Sequence, residues 1–212
     1  MPPPIKRMWG FDSPSRHMKQ TTVMRAYAAG FMSACGLIAT MSFTQPVPSE
    51  KPVEVQRTLY SQVPTAKPGR PPKAVAVEEG EALAYVRIPR FGKDWIWTVV
   101  EGTAMEDLAR GPGHFAHSAL PGARGNTAYA GHRSGYGDPF LNFDRLQVGD
   151  EIILAQNGAE WTYEVTMTPR VIEPDELWVV KPMEAGHWLT LTTCYPKFGS
   201  SKRMYVRAVL HQ

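Results

Sequence analysis

The chain has 212 residues, 43% of them hydrophobic, and a formal net charge of +3. That length supports one domain with a sizeable core and leaves residues over for other segments. A mild, dispersed positive excess is not the clustered cationic surface that nucleic acid requires. The two cysteines are too far apart for a zinc site, and no glycine-rich phosphate loop follows a strand. No nucleic acid, metal or cofactor is therefore expected.

Residues 1–25 are a short basic segment in which Lys6, Arg7, Arg16, Lys19 and Arg25 outweigh Asp12. Residues 26–44 carry no charge and begin AYAAGFMSACGLIATMSF. A run of that length spans the hydrocarbon core as a helix. An uncleaved transmembrane anchor is favoured over a buried core helix or a cleaved leader, and the basic flank puts the N-terminus in the cytoplasm. Cys35 would then be buried in the membrane, leaving Cys194 alone on the far side.

Residues 45–80 contain Pro46, Pro48, Pro52, Pro64, Pro68, Pro71 and Pro72 and read as an extended extracytoplasmic linker. From residue 81 to 212 the character changes to short β-rich runs. These fall near 84–89, 95–100, 126–132, 151–155, 161–166, 171–172, 188–194 and 204–210. Asn157 and Gly158 between two of them are a strong hairpin signal. Residues 105–110 are at best a short helix. Without long alternating helices, the pattern predicts an antiparallel sandwich or barrel.

Cys194 ends a strand-like run, and a lone thiol that cannot form an internal disulfide points to reactivity. A thiol acts as a nucleophile only with a base or cation nearby. Among His114, His117, His132, His187 and His211, His132 stands out because it closes a strand and opens a Gly-rich loop, where a scaffold can present a base. A structural or surface role for it is an equal alternative. In the last strand, Met204, Val206, Ala208 and Leu210 share one face, and Arg203, Tyr205 and Arg207 share the other. A solvated face explains both arginines, but Arg203 lies nearest the loop that leaves Cys194.

Thr190, Leu191, Thr192, Thr193 and Cys194 together match the Thr-Leu-x-Thr-Cys signature of the sortases, the cysteine transpeptidases of bacterial cell surfaces. Gly131-His132 and Arg203 match their histidine and arginine, in the same chain order. The resemblance runs from about residue 82 to 210. The Gly131-His132-Arg133, Tyr136-Gly137 and Tyr195-Pro196-Lys197-Phe198 segments are most similar to class E enzymes, with class D the nearest confusion.

The resemblance implies a mainly β fold, a closed antiparallel or mixed eight-stranded β-barrel with short helices, preceded by the N-terminal transmembrane helix. It implies catalytic roles for His132, Cys194 and Arg203, with Thr193, Trp178 and Val179 as candidate substrate contacts; core packing accounts equally well for Trp178 and Val179. It also implies a single-pass enzyme of the cell membrane with its catalytic domain outside. The substrates would be surface proteins or pilins bearing a Leu-Pro-x-Thr-Gly-like, and by class a Leu-Ala-x-Thr-Gly, sorting signal. The acceptor would be an amine of a lipid-linked peptidoglycan precursor or a pilin lysine. A catalytically silent surface binding module and another cysteine-dependent cell-wall peptidase or transpeptidase are the alternatives. The Ser-x-Gly-Cys segment of L,D-transpeptidases is absent, and papain-like enzymes place Cys before His.

Overall fold

The computed structural model describes residues 50–63 and 74–211, all within one compact unit. The basic segment, the expected anchor at 26–44 and Cys35 lie outside the described residues. Among the described residues no helix is long and apolar enough to cross a membrane.

Nine strands form one sheet: β1 (Ala82–Arg87), β2 (Ile96–Glu101), β3 (Gly113–His114), β4 (Gly125–Ala130), β5 (Glu151–Gln156), β6 (Ala159–Val165), β7 (Arg170–Ile172), β8 (His187–Tyr195) and β9 (Lys202–Leu210). Their order is β6-β5-β1-β2-β3-β4-β8-β9-β7, and β6 also pairs with β9. That pairing closes eight strands into a barrel, and β7 follows β6 along the same edge of β9. The barrel is mixed, since β2 with β3 and β4 with β8 are parallel.

Alternation builds the core. Every second residue of a strand faces inward, so Val86, Val99, Tyr129, Leu154, Tyr163, Leu189, Leu191, Val206 and Ala208 meet in the barrel and are fully buried. The β5–β6 hairpin turns at Asn157 and Gly158, both at positive φ (52° and 73°). A two-residue turn whose twist matches the flanking strands requires that geometry.

The extended linker expected over 45–80 does not hold for residues 50–63. Glu50–Tyr60 is a helix, α1. Val55 and Leu59 lie four residues apart on one helical face, and Leu59, with Val63 just after the helix, is buried against Ala82 and Val100. The Gln56 amide binds strand β2 as another strand would. Its Oε1 accepts from the Thr98 N–H at 2.7 Å, and its Nε2 donates to the Thr98 carbonyl at 3.2 Å. Strand β3 is only two residues long and leaves β2 open at Thr98, where an unpaired buried backbone group costs about 1–3 kcal/mol. The helix docks where the barrel has an edge to cover. A second, four-residue helix, α2 (Met105–Leu108), confirms the short helix expected there.

Candidate active site

Cys194 and Arg203 face each other directly across the antiparallel β8–β9 ladder, a position that sets Cβ atoms about 4.5–5.5 Å apart. The parallel β4–β8 ladder pairs Ala130 with Thr192, and the Gly131 N–H extends it by donating to the Thr192 carbonyl at 3.1 Å. His132 follows directly, at the strand end that carries Cys194. The three residues singled out in the sequence thus come together at one end of β4, β8 and β9. Each is nearly covered: His132 is 8% exposed, Cys194 7% and Arg203 6%.

The other histidines lie elsewhere. His114 is enclosed by Glu101, which its Nδ1 meets at 2.8 Å, and by Ser118 at its Nε2. His117 and His211 are exposed. His187 opens β8 at the end away from Cys194 and holds the Gly122 carbonyl.

Local packing fixes the histidine rim. A Cβ added at Gly131 would meet the Phe140 ring at 2.6 Å, so only glycine lets the chain pass that close before His132. The Phe140 N–H donates to the His132 carbonyl at 3.0 Å. Tyr136, held at a positive φ of 53°, lays its ring over the imidazole with centroids 4.8 Å apart.

Burial governs the electrostatics. It lowers His132 to about 4, so the imidazole is neutral at neutral pH. It raises the Cys194 thiol, against the opposing pull of the Arg203 and then the Arg133 guanidinium. The resting pair is therefore a neutral thiol beside a neutral imidazole. Arg203 is aimed by its own backbone, Nη1 donating to the carbonyls of Ser200 at 2.8 Å and Lys202 at 3.0 Å. The face carrying Arg203, Tyr205 and Arg207 is not the solvated face that offered the simpler account: Arg203 and Tyr205 are buried.

The candidate substrate contacts divide. Thr193 points to the side opposite Cys194, is fully buried, and its Oγ1 donates to the Gly131 carbonyl at 2.8 Å. It thus ties the cysteine strand to the histidine rim. Val179 is wholly buried in a cluster with Ala128, Ala130, Cys194 and Tyr205, which fits the core-packing alternative. Trp178 alone stays open, 45% exposed. It is edge-on to Tyr205 with centroids 5.6 Å apart, and the Arg207 guanidinium lies 5.1 Å from its ring centre. Buried Asn126 fixes the turn that carries Trp178, its Nδ2 donating to the carbonyls of Val179 and Lys181.

Sequence reasoning gave Arg133 no role. It is 3% exposed, ion-paired to Asp144 at 2.8 Å and packed on the Tyr195 ring. Asp144 thus holds the residue that follows His132. The available signal was a charged residue directly after the candidate base.

A closed mixed barrel thus carries a thiol, an imidazole and a guanidinium at one strand end. The sortase domain family model matches residues 86–211, and the chain belongs to the sortase family. It is 33% identical over 143 residues to Sortase SrtE1 of Streptomyces coelicolor, covering 61% of this chain and 40% of that protein. It is 30% identical over 131 residues to Sortase D of Bacillus subtilis, covering 61% of this chain and 63% of that one. The matches thus span less than two thirds of these relatives' lengths. The solved structure of sortase E from Streptomyces avermitilis superposes with a TM-score of 0.60 at 39% identity, over 64% of this chain and 91% of that one. The recurrence of sortase E among these relatives supports class E.

Proposed function

We propose that this chain is a membrane-anchored transpeptidase. It cleaves a Leu-Ala-x-Thr-Gly-like sorting signal between Thr and Gly and passes the threonyl carbonyl to an amine. The observation that carries the reading is Cys194 directly opposite Arg203, with His132 at the same strand end. In the first half-reaction the Cys194 proton moves to His132 and the sulfur bonds to the Thr carbonyl carbon. Arg203 stabilises the oxyanion that forms. The C–N bond to Gly then breaks, and the leaving amine takes the proton from His132. In the second half-reaction the acceptor amine attacks the thioester and gives a proton to His132. The carbon–sulfur bond breaks, and the sulfur regains its proton. An imidazole held near 4 gives its proton up readily, which suits the step in which the amine leaves.

Under this reading Trp178 and Arg207 flank the sorting peptide upstream of its Thr. The acceptor is an amine of a peptidoglycan precursor or a pilin lysine. Residues 26–44 anchor the enzyme in the cell membrane, with the catalytic domain outside. The test offers the full chain paired Leu-Ala-x-Thr-Gly and Leu-Pro-x-Thr-Gly peptides with a small amine, and scores the joined product by mass. We expect transfer from the Ala peptide at the higher kcat/KM. Preference for the Pro peptide would reverse the motif assignment, and absence of transfer from both would reject the reading.

A further inference from the structure

Arg133 carries a charge at a depth where charge is expensive. Its side chain is 4% exposed, while its only ion-pair partner among the described residues, Asp144, is 50% exposed. Nη2 binds that carboxylate, but Nε and Nη1 are buried without a hydrogen-bond partner among the described residues. A guanidinium held this way costs several kcal/mol unless something else uses it.

Its location indicates what does. The guanidinium lies over the Tyr195 ring, 5.7 Å from the centroid. Tyr195 follows Cys194 in β8, and its ring packs against the barrel core, on the face away from the thiol. Arg133 therefore stands behind the nucleophile's strand, where a peptide on the outer face does not reach it. A charge acting through protein rather than water still exerts a field across the width of a strand.

We propose that Arg133 is a positioning residue for the transpeptidation: held behind β8 by Asp144 and Tyr195, its guanidinium is a second cation that favours the Cys194 thiolate. The inference rests on Cys194 being the nucleophile. The thiol then lies between two cations, Arg203 in front across the β9 ladder and Arg133 behind. Both oppose the upward push of burial on the thiol. On the histidine rim, His132 is neutral and so leaves this balance unchanged. The carboxylates of the surrounding elements have partners of their own. Asp144 takes Arg133, Glu173 takes Lys202, Glu176 takes the Trp178 indole and Asp107 takes the Ala104 N–H. Asp175 is exposed, and Lys197 acts on Asp144.

The experiment measures the rate of Cys194 alkylation by iodoacetamide against pH on the full chain. Peptide mass spectrometry separates Cys194 from Cys35. In Arg133→Met the midpoint should rise by about one unit, a tenfold fall in thiolate fraction at neutral pH. Asp144→Asn removes the counter-charge but keeps the guanidinium, so its midpoint should fall. Arg133→Lys should lie between wild type and Arg133→Met. If Arg133→Met does not fold, the Asp144→Asn shift decides alone. A midpoint in Asp144→Asn that stays put or rises would show that Arg133 merely anchors its loop, and so would an unchanged midpoint in Arg133→Met. A wild-type enzyme that still forms an acyl-enzyme with a sorting peptide would then leave the transpeptidase reading standing and defeat this proposal alone.

Discussion

The two faces of the β8–β9 ladder are made from alternating residues of the same two strands and do opposite work. Inward, Leu189, Leu191, Met204, Val206 and Ala208 close the barrel, and the polar side chain of Thr193 on that face is held by the Gly131 carbonyl. Outward, Thr190, Thr192 and Cys194 oppose Arg207, Tyr205 and Arg203, a row in which most polar groups are buried. Burial on the first face is ordinary hydrophobic stabilisation. Burial on the second holds an imidazole and a thiol neutral and keeps a guanidinium beside the thiol, at a cost that only function recovers. The outer face should therefore respond to mutation in chemistry, and the inner face in stability.

The sharpest break in that comparison is Arg203→Ala. Loss of an oxyanion donor typically costs about 10²–10³-fold, so transpeptidation kcat should fall by about that factor while the melting temperature moves little. A large loss of stability with near-normal kcat would make Arg203 a packing residue instead.

Acid stability separates the faces next. His132 is held near 4 in the fold, against about 6.5 in the unfolded chain. Between those values the unfolded state binds more protons. This contribution is therefore complete above about pH 6.5 and is lost as pH falls toward 4, by about 3 kcal/mol at most. Denaturant unfolding at pH 7 and 4.5 should show the loss in the wild type and a shallower one in His132→Gln. Equal losses would mean that His132 is not buried in solution.

The smallest effect belongs to Thr193, which joins the faces. Thr193→Val leaves the Gly131 carbonyl without its 2.8 Å partner. It should cost about 1–3 kcal/mol in stability and a modest part of kcat, with KM unchanged. A raised KM alone would return Thr193 to the role of substrate contact.

Much of this was legible in the chain before its fold was known. The alternation of Met204, Val206 and Ala208 against Arg203, Tyr205 and Arg207 is a local property, as is the Asn157-Gly158 turn, and both hold. The candidate nucleophile and base stood out because Thr-Leu-Thr-Thr-Cys and Gly-His are short contiguous motifs. What escaped depends on contacts between distant residues. The α1 helix was hidden by Pro52 and the prolines that flank it, although Val55 and Leu59 carry its period. Strand β3 is two residues in a parallel pair, and parallel pairing leaves no local turn signal. Arg133 and Asp144 are eleven positions apart and meet only because the rim loop folds back. The difference between exposed Trp178 and buried Val179, adjacent in a single turn, is set by Asn126 from another strand.

The central claim is that the thiol at the end of β8 forms the acyl-enzyme. The most direct test is intact-mass analysis of the full chain mixed with a Leu-Ala-x-Thr-Gly peptide, wild type beside Cys194→Ala. The account predicts a wild-type adduct of the peptide's acyl part that hydroxylamine releases, and no adduct in Cys194→Ala. An adduct that persists in Cys194→Ala, or a wild-type adduct mapped to Cys35, would contradict it.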